Sequence, residues 1–249
     1  MTTTAVDLCE VEPGVLQVTM QDRRSKNSFS AELVDGLINA FSEIQAHRTG
    51  KVVVLTGFGN YFSSGGTQDG LLAIHEGRSR FTDLNLYSLA LECEVPVIAA
   101  MQGHGIGGGF VLGLYADFVI LGRESLYTAN FMRYGFTPGM GATMILPRKL
   151  GLGLGQEMLL NGGNYRGAEL AVRGVPFRVL PRGEVLPQAL QLARELAQKP
   201  AVSLKALKAH LVRPLREALP QAIEQELAMH EMTFHRAEVK QRVSDLFGA

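Results

Sequence analysis

Gly103-His104-Gly105-Ile106-Gly107-Gly108-Gly109 stands between the apolar run Val97-Ile98-Ala99-Ala100-Met101 and a second apolar run that begins at Phe110. A strand-like segment that breaks into glycines and resumes as a helix leaves unhindered backbone N–H groups at a helix N-terminus, where the dipole favours negative charge. Such a turn is suited to holding an oxyanion. A second turn of this kind lies upstream, where Val52-Val53-Val54-Leu55-Thr56-Gly57 leads into Asn60-Tyr61-Phe62-Ser63-Ser64-Gly65-Gly66-Thr67. Two such turns supply two N–H donors to one thioester carbonyl oxygen, the arrangement that stabilises an enolate.

The elements that must position these turns are legible in the periodicity. Val6 to Val11, a turn at Glu12-Pro13-Gly14 and Val15 to Met20 read as a hairpin. Ser30 is placed to cap a helix in which Leu33, Val34, Leu37, Ile38, Phe41 and Ile44 recur at three and four. A strand over Lys51 to Thr56 follows. After a polar excursion from Thr67 to Arg80, Thr82 is predicted to cap a helix running to about Leu91, with Pro96 ending it and Val97 to Met101 forming a buried strand. Beyond the glycines the spacing predicts a helix to about Tyr115, a strand Phe118-Val119-Ile120-Leu121 and a short strand near Leu126-Tyr127-Thr128. A further glycine turn, Thr137-Pro138-Gly139-Met140-Gly141, opens a helix toward Leu150. Strand-strand-helix units that recur without sequence identity point to an α/β fold built as a coil of small parallel sheets. Beyond Leu186 the apolar residues keep helical spacing, with Pro200, Pro214 and Pro220 as breaks. The chain thus divides into a core, residues 1–190, and a C-terminal helical region, residues 191–249, suited to packing on a neighbouring subunit.

Composition narrows the function classes. The 249 residues are 46% hydrophobic, enough for a full core, and the 24 Lys and Arg balance the 24 Asp and Glu. No basic field exists to recruit nucleic acid or an anionic membrane surface. The partner is expected to be a small molecule or one acidic protein met locally. Cys9 and Cys93 have no metal-ligand spacing and read as two reduced packing thiols, so no metal site is expected. Asp7, Glu10 and Glu12 are incompatible with a signal peptide over Met1 to Gly14, and the cytoplasm is the expected location. The uncharged stretch from Val95 to Ala116 contains Pro96, Gln102, His104 and a run of glycines, and reads as buried core instead of a membrane span.

The order of these motifs resembles the crotonase superfamily, the enoyl-CoA hydratase and isomerase group, over essentially the whole chain. The resemblance implies a spiral of repeated ββα turns with a C-terminal helical appendage. By position, Phe62-Ser63-Ser64-Gly65-Gly66-Thr67 and Gly107-Gly108-Gly109 match that family's two oxyanion turns, so the N–H groups of Gly66 and Gly108 would form the oxyanion hole. Thr67 replaces the usual aspartate of the first motif. Where hydratases of the family carry two catalytic glutamates, this chain has Val111 and Phe131. Water addition needs a positioned acid and base, so hydration is excluded, and both residues would line an apolar acyl pocket with Tyr87 and Tyr134.

Within the superfamily the segments Asn85 to Leu91, Asn130 to Gly139 and Met229 to Phe234 are most similar to decarboxylases of polyketide β-branching. The catalytic pair of those enzymes maps to Arg80, where a lysine is usual, and His230. The resemblance implies decarboxylation of 3-methylglutaconyl thioester on an acyl carrier protein through a dienolate, no cofactor, and a homotrimer or dimer of trimers. Arginine keeps the charge and grips a carboxylate with two hydrogen bonds, yet cannot donate a proton at ordinary pH. His230 falls three after Leu227 and four before Phe234, on the apolar face of its helix. That position alone reads as a hydrogen-bonded core histidine, and the resemblance makes it catalytic. His104 is expected to cap the glycine turn, His235 to face solvent or a neighbouring subunit, and Arg78 to be a less favoured carboxylate ligand than Arg80. The alternatives are a double-bond isomerase, which needs no cation for a carboxylate, and a non-catalytic acyl-thioester binding protein.

Overall fold

A strand of unbroken apolar residues must be covered on both faces, and Val52–Thr56 and Val97–Met101 are buried at every position. The computed structural model describes residues 4–83 and 85–247. Its strands are β1 (Val6–Glu12), β2 (Val15–Met20), β3 (Val52–Thr56), β4 (Tyr61–Ser63), β5 (Val97–Met101), β6 (His104–Ile106), β7 (Phe118–Gly122), β8 (Leu126–Thr128), β9 (Tyr165–Arg166) and β10 (Arg178–Leu180). The helices are α1 (Ala31–Ala46), α2 (Gln68–His75), α3 (Leu89–Glu92), α4 (Gly108–Leu114), α5 (Ala142–Leu150), α6 (Leu152–Asn161), α7 (Gly167–Val172), α8 (Arg182–Ala197), α9 (Ala201–Thr233) and α10 (Ala237–Leu246).

The larger sheet has the order β1-β2-β3-β5-β7-β10, parallel from β2 onward, and the smaller has the order β4-β6-β8-β9. In β3 the alternation of a strand sends Val52 and Val54 toward α8, where Val185, Ala189 and Ala193 cover them. Val53 and Leu55 face the opposite way, into the main core with Leu33, Leu37 and Phe41 of α1. Each central strand of the large sheet then crosses into a short strand of the small one: β3 into β4, β5 into β6, β7 into β8. A turn and a helix follow each short strand.

The register of the small sheet decides where these turns end up. β4 pairs in parallel with β6, Tyr61 opposite His104 and Ser63 opposite Gly105, and β6 pairs in parallel with β8, Ile106 opposite Thr128. Segments leaving parallel neighbours emerge side by side at one end of the sheet. The Gly65-Gly66 turn, the Gly107-Gly108 turn and the 3-10 turn Asn130–Tyr134 are therefore adjacent.

Four expectations are corrected. The polar excursion after Thr67 contains helix α2, whose N-cap is Thr67 itself, its Oγ1 accepting the Gly70 N–H at 3.0 Å. The helix expected from Thr82 to Leu91 is instead a run of turns ending in the single turn α3, with Leu84 outside the described residues. Pro214 and Pro220 do not break the last helices. Both lie inside α9, which continues from Ala201 to Thr233 after Pro200 caps it. Each proline removes a backbone bond at a cost of about 3 kcal/mol, and α9 is anchored on both sides of the pair. Before it, the buried Lys208 ammonium donates to the Ala90 and Val95 carbonyls, both at 2.9 Å, and pairs with Asp117 at 2.8 Å. Beyond it, Glu226 and His230 grip the loop leading into α5. Of the two thiols only Cys93 is packed inside, and Cys9 is exposed. Among the described residues no helix is long and apolar enough to cross a membrane.

Candidate active site

A cavity of about 550 Å3 opens where the three turns meet. Gly66, Gly107 and Gly108 form one wall, and Phe81, Phe131, Phe136 and Phe234 make much of the rest. The N–H groups of Gly66 and Gly108 donate to no described residue. They are the spare donors that a helix start and a tight turn leave behind. Gly65 has φ +76°, and a Cβ there would lie 3.3 Å from the Gly108 nitrogen, so the two turns are in backbone contact. Gly107, at φ +53°, anchors the second turn by donating to the Thr128 carbonyl at 2.8 Å.

His230 stands in this wall, only 6% exposed. Its Nε2 lies 2.7 Å from the Thr137 carbonyl oxygen. A carbonyl only accepts, so Nε2 carries the proton and Nδ1 is the nitrogen that gains or gives a second one. Burial holds the imidazole below its ordinary value, with the Thr137 and Pro138 backbone pulling the other way. The ring packs edge-on against Phe81 at 4.7 Å and lies 5.1 Å from Phe234. It is thus both hydrogen-bonded within the core and in contact with the cavity.

Arg80 lies at the rim, exposed, its backbone N–H held by the Asp83 carboxylate at 2.7 Å. Its guanidinium has no ion pair among the described residues. Arg78, by contrast, is committed to Glu76 at 2.6 Å. The geometry separates two arginines that the sequence leaves two residues apart. Tyr87, Phe131 and Tyr134 all line the cavity, with Tyr134 stacked on Phe136 at 5.9 Å. Val111 does not. It is three residues into α4, fully buried in the main core and absent from the cavity wall. His104 accepts the Leu126 N–H through Nδ1 at 2.9 Å and so ties its turn to β8. His235 is half-exposed, its Nδ1 donating to the His75 carbonyl at 2.8 Å.

The charged residues facing the cavity are Arg24, Lys26 and Arg80, and no carboxylate joins them. That balance suits an anionic ligand. No group of three or more His, Cys, Asp or Glu side chains able to hold a metal ion exists among the described residues.

Two residues on the cavity wall or behind it had no signal that sequence reasoning used. Met140 carries a side chain at φ +64° and places its sulfur 2.7 Å from where a Cβ of Gly108 would stand. Glu226 is fully buried; one oxygen accepts the Gly141 N–H at 2.7 Å, the other the Thr143 N–H and hydroxyl at 2.9 and 2.6 Å. Its position four residues before His230 on one helix face was the available clue. Burial pushes its carboxyl up, against the pull of those three donors.

The family model of enoyl-CoA hydratase/isomerase matches residues 10–246. Bacillaene synthase decarboxylase PksI of Bacillus subtilis (strain 168) is 65% identical over 248 residues, covering 100% of both chains. A solved structure from a dehydratase/decarboxylase enzyme couple involved in polyketide beta-branching shares 65% identity, with a TM-score of 0.98 over 98% of this chain and 100% of that one. The ECH2 decarboxylase domain of CurF from Lyngbya majuscula is 48% identical, with a TM-score of 0.95 and the same coverage.

Proposed function

The chain belongs to the enoyl-CoA hydratase/isomerase family, and within it we propose that it decarboxylates 3-methylglutaconyl thioester carried on an acyl carrier protein in the bacterial cytoplasm. The C–C bond to the terminal carboxylate breaks, CO2 leaves, and the electron pair moves through the double bond onto the thioester oxygen. The dienolate charge falls on the Gly66 and Gly108 N–H groups, each such donor being worth about 3 kcal/mol in the transition state. Arg80 holds the departing carboxylate with its C–C bond across the π plane. Phe131 and the aromatic wall keep water away from the dienolate. His230, once its Nδ1 has taken up a proton from solvent beside the anionic substrate, delivers that proton and returns to the neutral ring: at the γ-carbon this gives the 3-methylcrotonyl thioester, at the α-carbon the β,γ-unsaturated isomer. The unsaturated thioester is its own electron sink, so the reaction calls for no cofactor.

The observation that carries this reading is a pair of unspent backbone amides in a cavity whose charged lining is cationic only. Hydration would need a carboxylate there, and 65% identity to a decarboxylase over the full length supports the same chemistry. Exposed Leu207 and Leu211, one turn apart on the same face of α9, give the chain an apolar strip for self-association as a trimer or a dimer of trimers. The test is to incubate the protein with 3-methylglutaconyl-carrier protein and follow loss of the CO2 mass. Double-bond migration with the carboxylate retained would mark an isomerase. An unchanged substrate would leave only a binding protein.

A further inference from the structure

We infer that Glu226 is a positioning residue, fixing through one buried carboxylate both the turn behind the Gly108 amide and the placement of His230. The inference rests on the decarboxylase reading given above.

Glu226 has no ion-pair partner among the described residues. All its bonds go to the start of α5, whose own N-cap, Gly141, offers no side chain. A local Ser or Asp would satisfy those amides with far less desolvation. What a distant carboxylate adds is a link between α9 and the segment that precedes α5.

That segment is strained. Met140 and Gly141 are consecutive left-handed residues, at φ +64° and +69°, and the first carries a long side chain. Such a conformation persists only where its surroundings over-determine it. Here it is held from both sides: the Tyr115 hydroxyl donates to the Met140 carbonyl at 3.0 Å, and the next N–H donates to Glu226. The held turn presses the Met140 thioether against Gly108. One helical turn further along α9, His230 grips Thr137 at the other end of the same segment. The Thr137 and Thr233 hydroxyls, 3.0 Å apart, strengthen that second grip. The loop between the two grips contains Gly139, whose absent Cβ leaves room for the His230 Cε1 at 3.0 Å. Loss of the Glu226 grip frees the Met140 turn and removes one of the two fixed points that set His230 against the cavity.

The test uses the full-length Glu226→Gln protein, which keeps the side-chain volume but turns an NH2 toward a backbone donor. With the carrier-bound substrate, kcat is expected to fall about tenfold or more while KM stays within about threefold. In parallel, 15N-imidazole spectra of histidine-labelled protein should show His230 leaving its single Nε2–H tautomer. A folded Glu226→Gln protein with wild-type kcat and an unchanged His230 signal overturns the inference. Should that variant not fold, Thr143→Val removes one donor and no charge, and the same kcat-selective loss supports the assignment while wild-type kcat refutes it. If the wild-type protein leaves the substrate intact, the decarboxylase reading fails, and the imidazole spectra still decide what Glu226 does.

Discussion

The Cα of Gly65 lies against the Ile106 carbonyl so closely that a methyl group there would be driven into the oxygen. This contact locks the first glycine turn onto the second, and it distinguishes two neighbouring glycines. Gly65→Ala is expected to cost about 2 kcal/mol or more, the left-handed penalty plus the collision. Gly66→Ala meets only the movable Leu71 methyl at 3.3 Å, has no positive φ, and should cost less than about 1 kcal/mol. Chemical denaturation of the two variants measures this, and the reverse order would contradict the backbone contact.

Burial depresses the proton affinity of His230 below the ordinary value of 6.5. The unfolded chain then accepts a proton that the folded protein resists, so folding stability is lost as pH falls below 6.5 and is intact above it. Thermal unfolding of the wild-type and His230→Asn proteins from about pH 7.5 to about pH 5 should show the wild-type advantage shrinking with acid. A growing advantage would mean that the ring gains protons on folding.

Arg80 is proposed to act as a carboxylate clamp, a role that charge alone partly fills. Arg80→Lys should keep kcat/KM within about tenfold of wild type, whereas Arg80→Ala should lose about a hundredfold or more. Steady-state kinetics on the carrier-bound substrate separate the two. Equal losses in both variants would point to the guanidinium geometry, and no loss in Arg80→Ala would remove Arg80 from the reaction.

Glycine runs after apolar strands are strong local signals, so both turns and the strands that feed them were legible in the chain. The short helix α2 was not, because Leu71, Leu72 and Ile74 are only half-buried and its first turn is polar. Val111 and Phe131 looked equivalent when carried over by position. The structure parts them, since α4 rotates Val111 into the core while the 3-10 turn leaves Phe131 on the cavity. Glu226 was illegible for a different reason. A glutamate on a long amphipathic helix reads as a solvent-facing charge, and only partners more than eighty residues away bury it.

The all-cationic rim gives the proposed reaction a direction beyond the chemical step. A substrate with a free carboxylate enters as an extra negative charge facing Arg24, Lys26 and Arg80, and the product lacks that charge once neutral CO2 has departed. Attraction present on arrival is missing on departure. The site therefore loosens its hold through the reaction itself, and turnover should proceed with little inhibition by accumulated product.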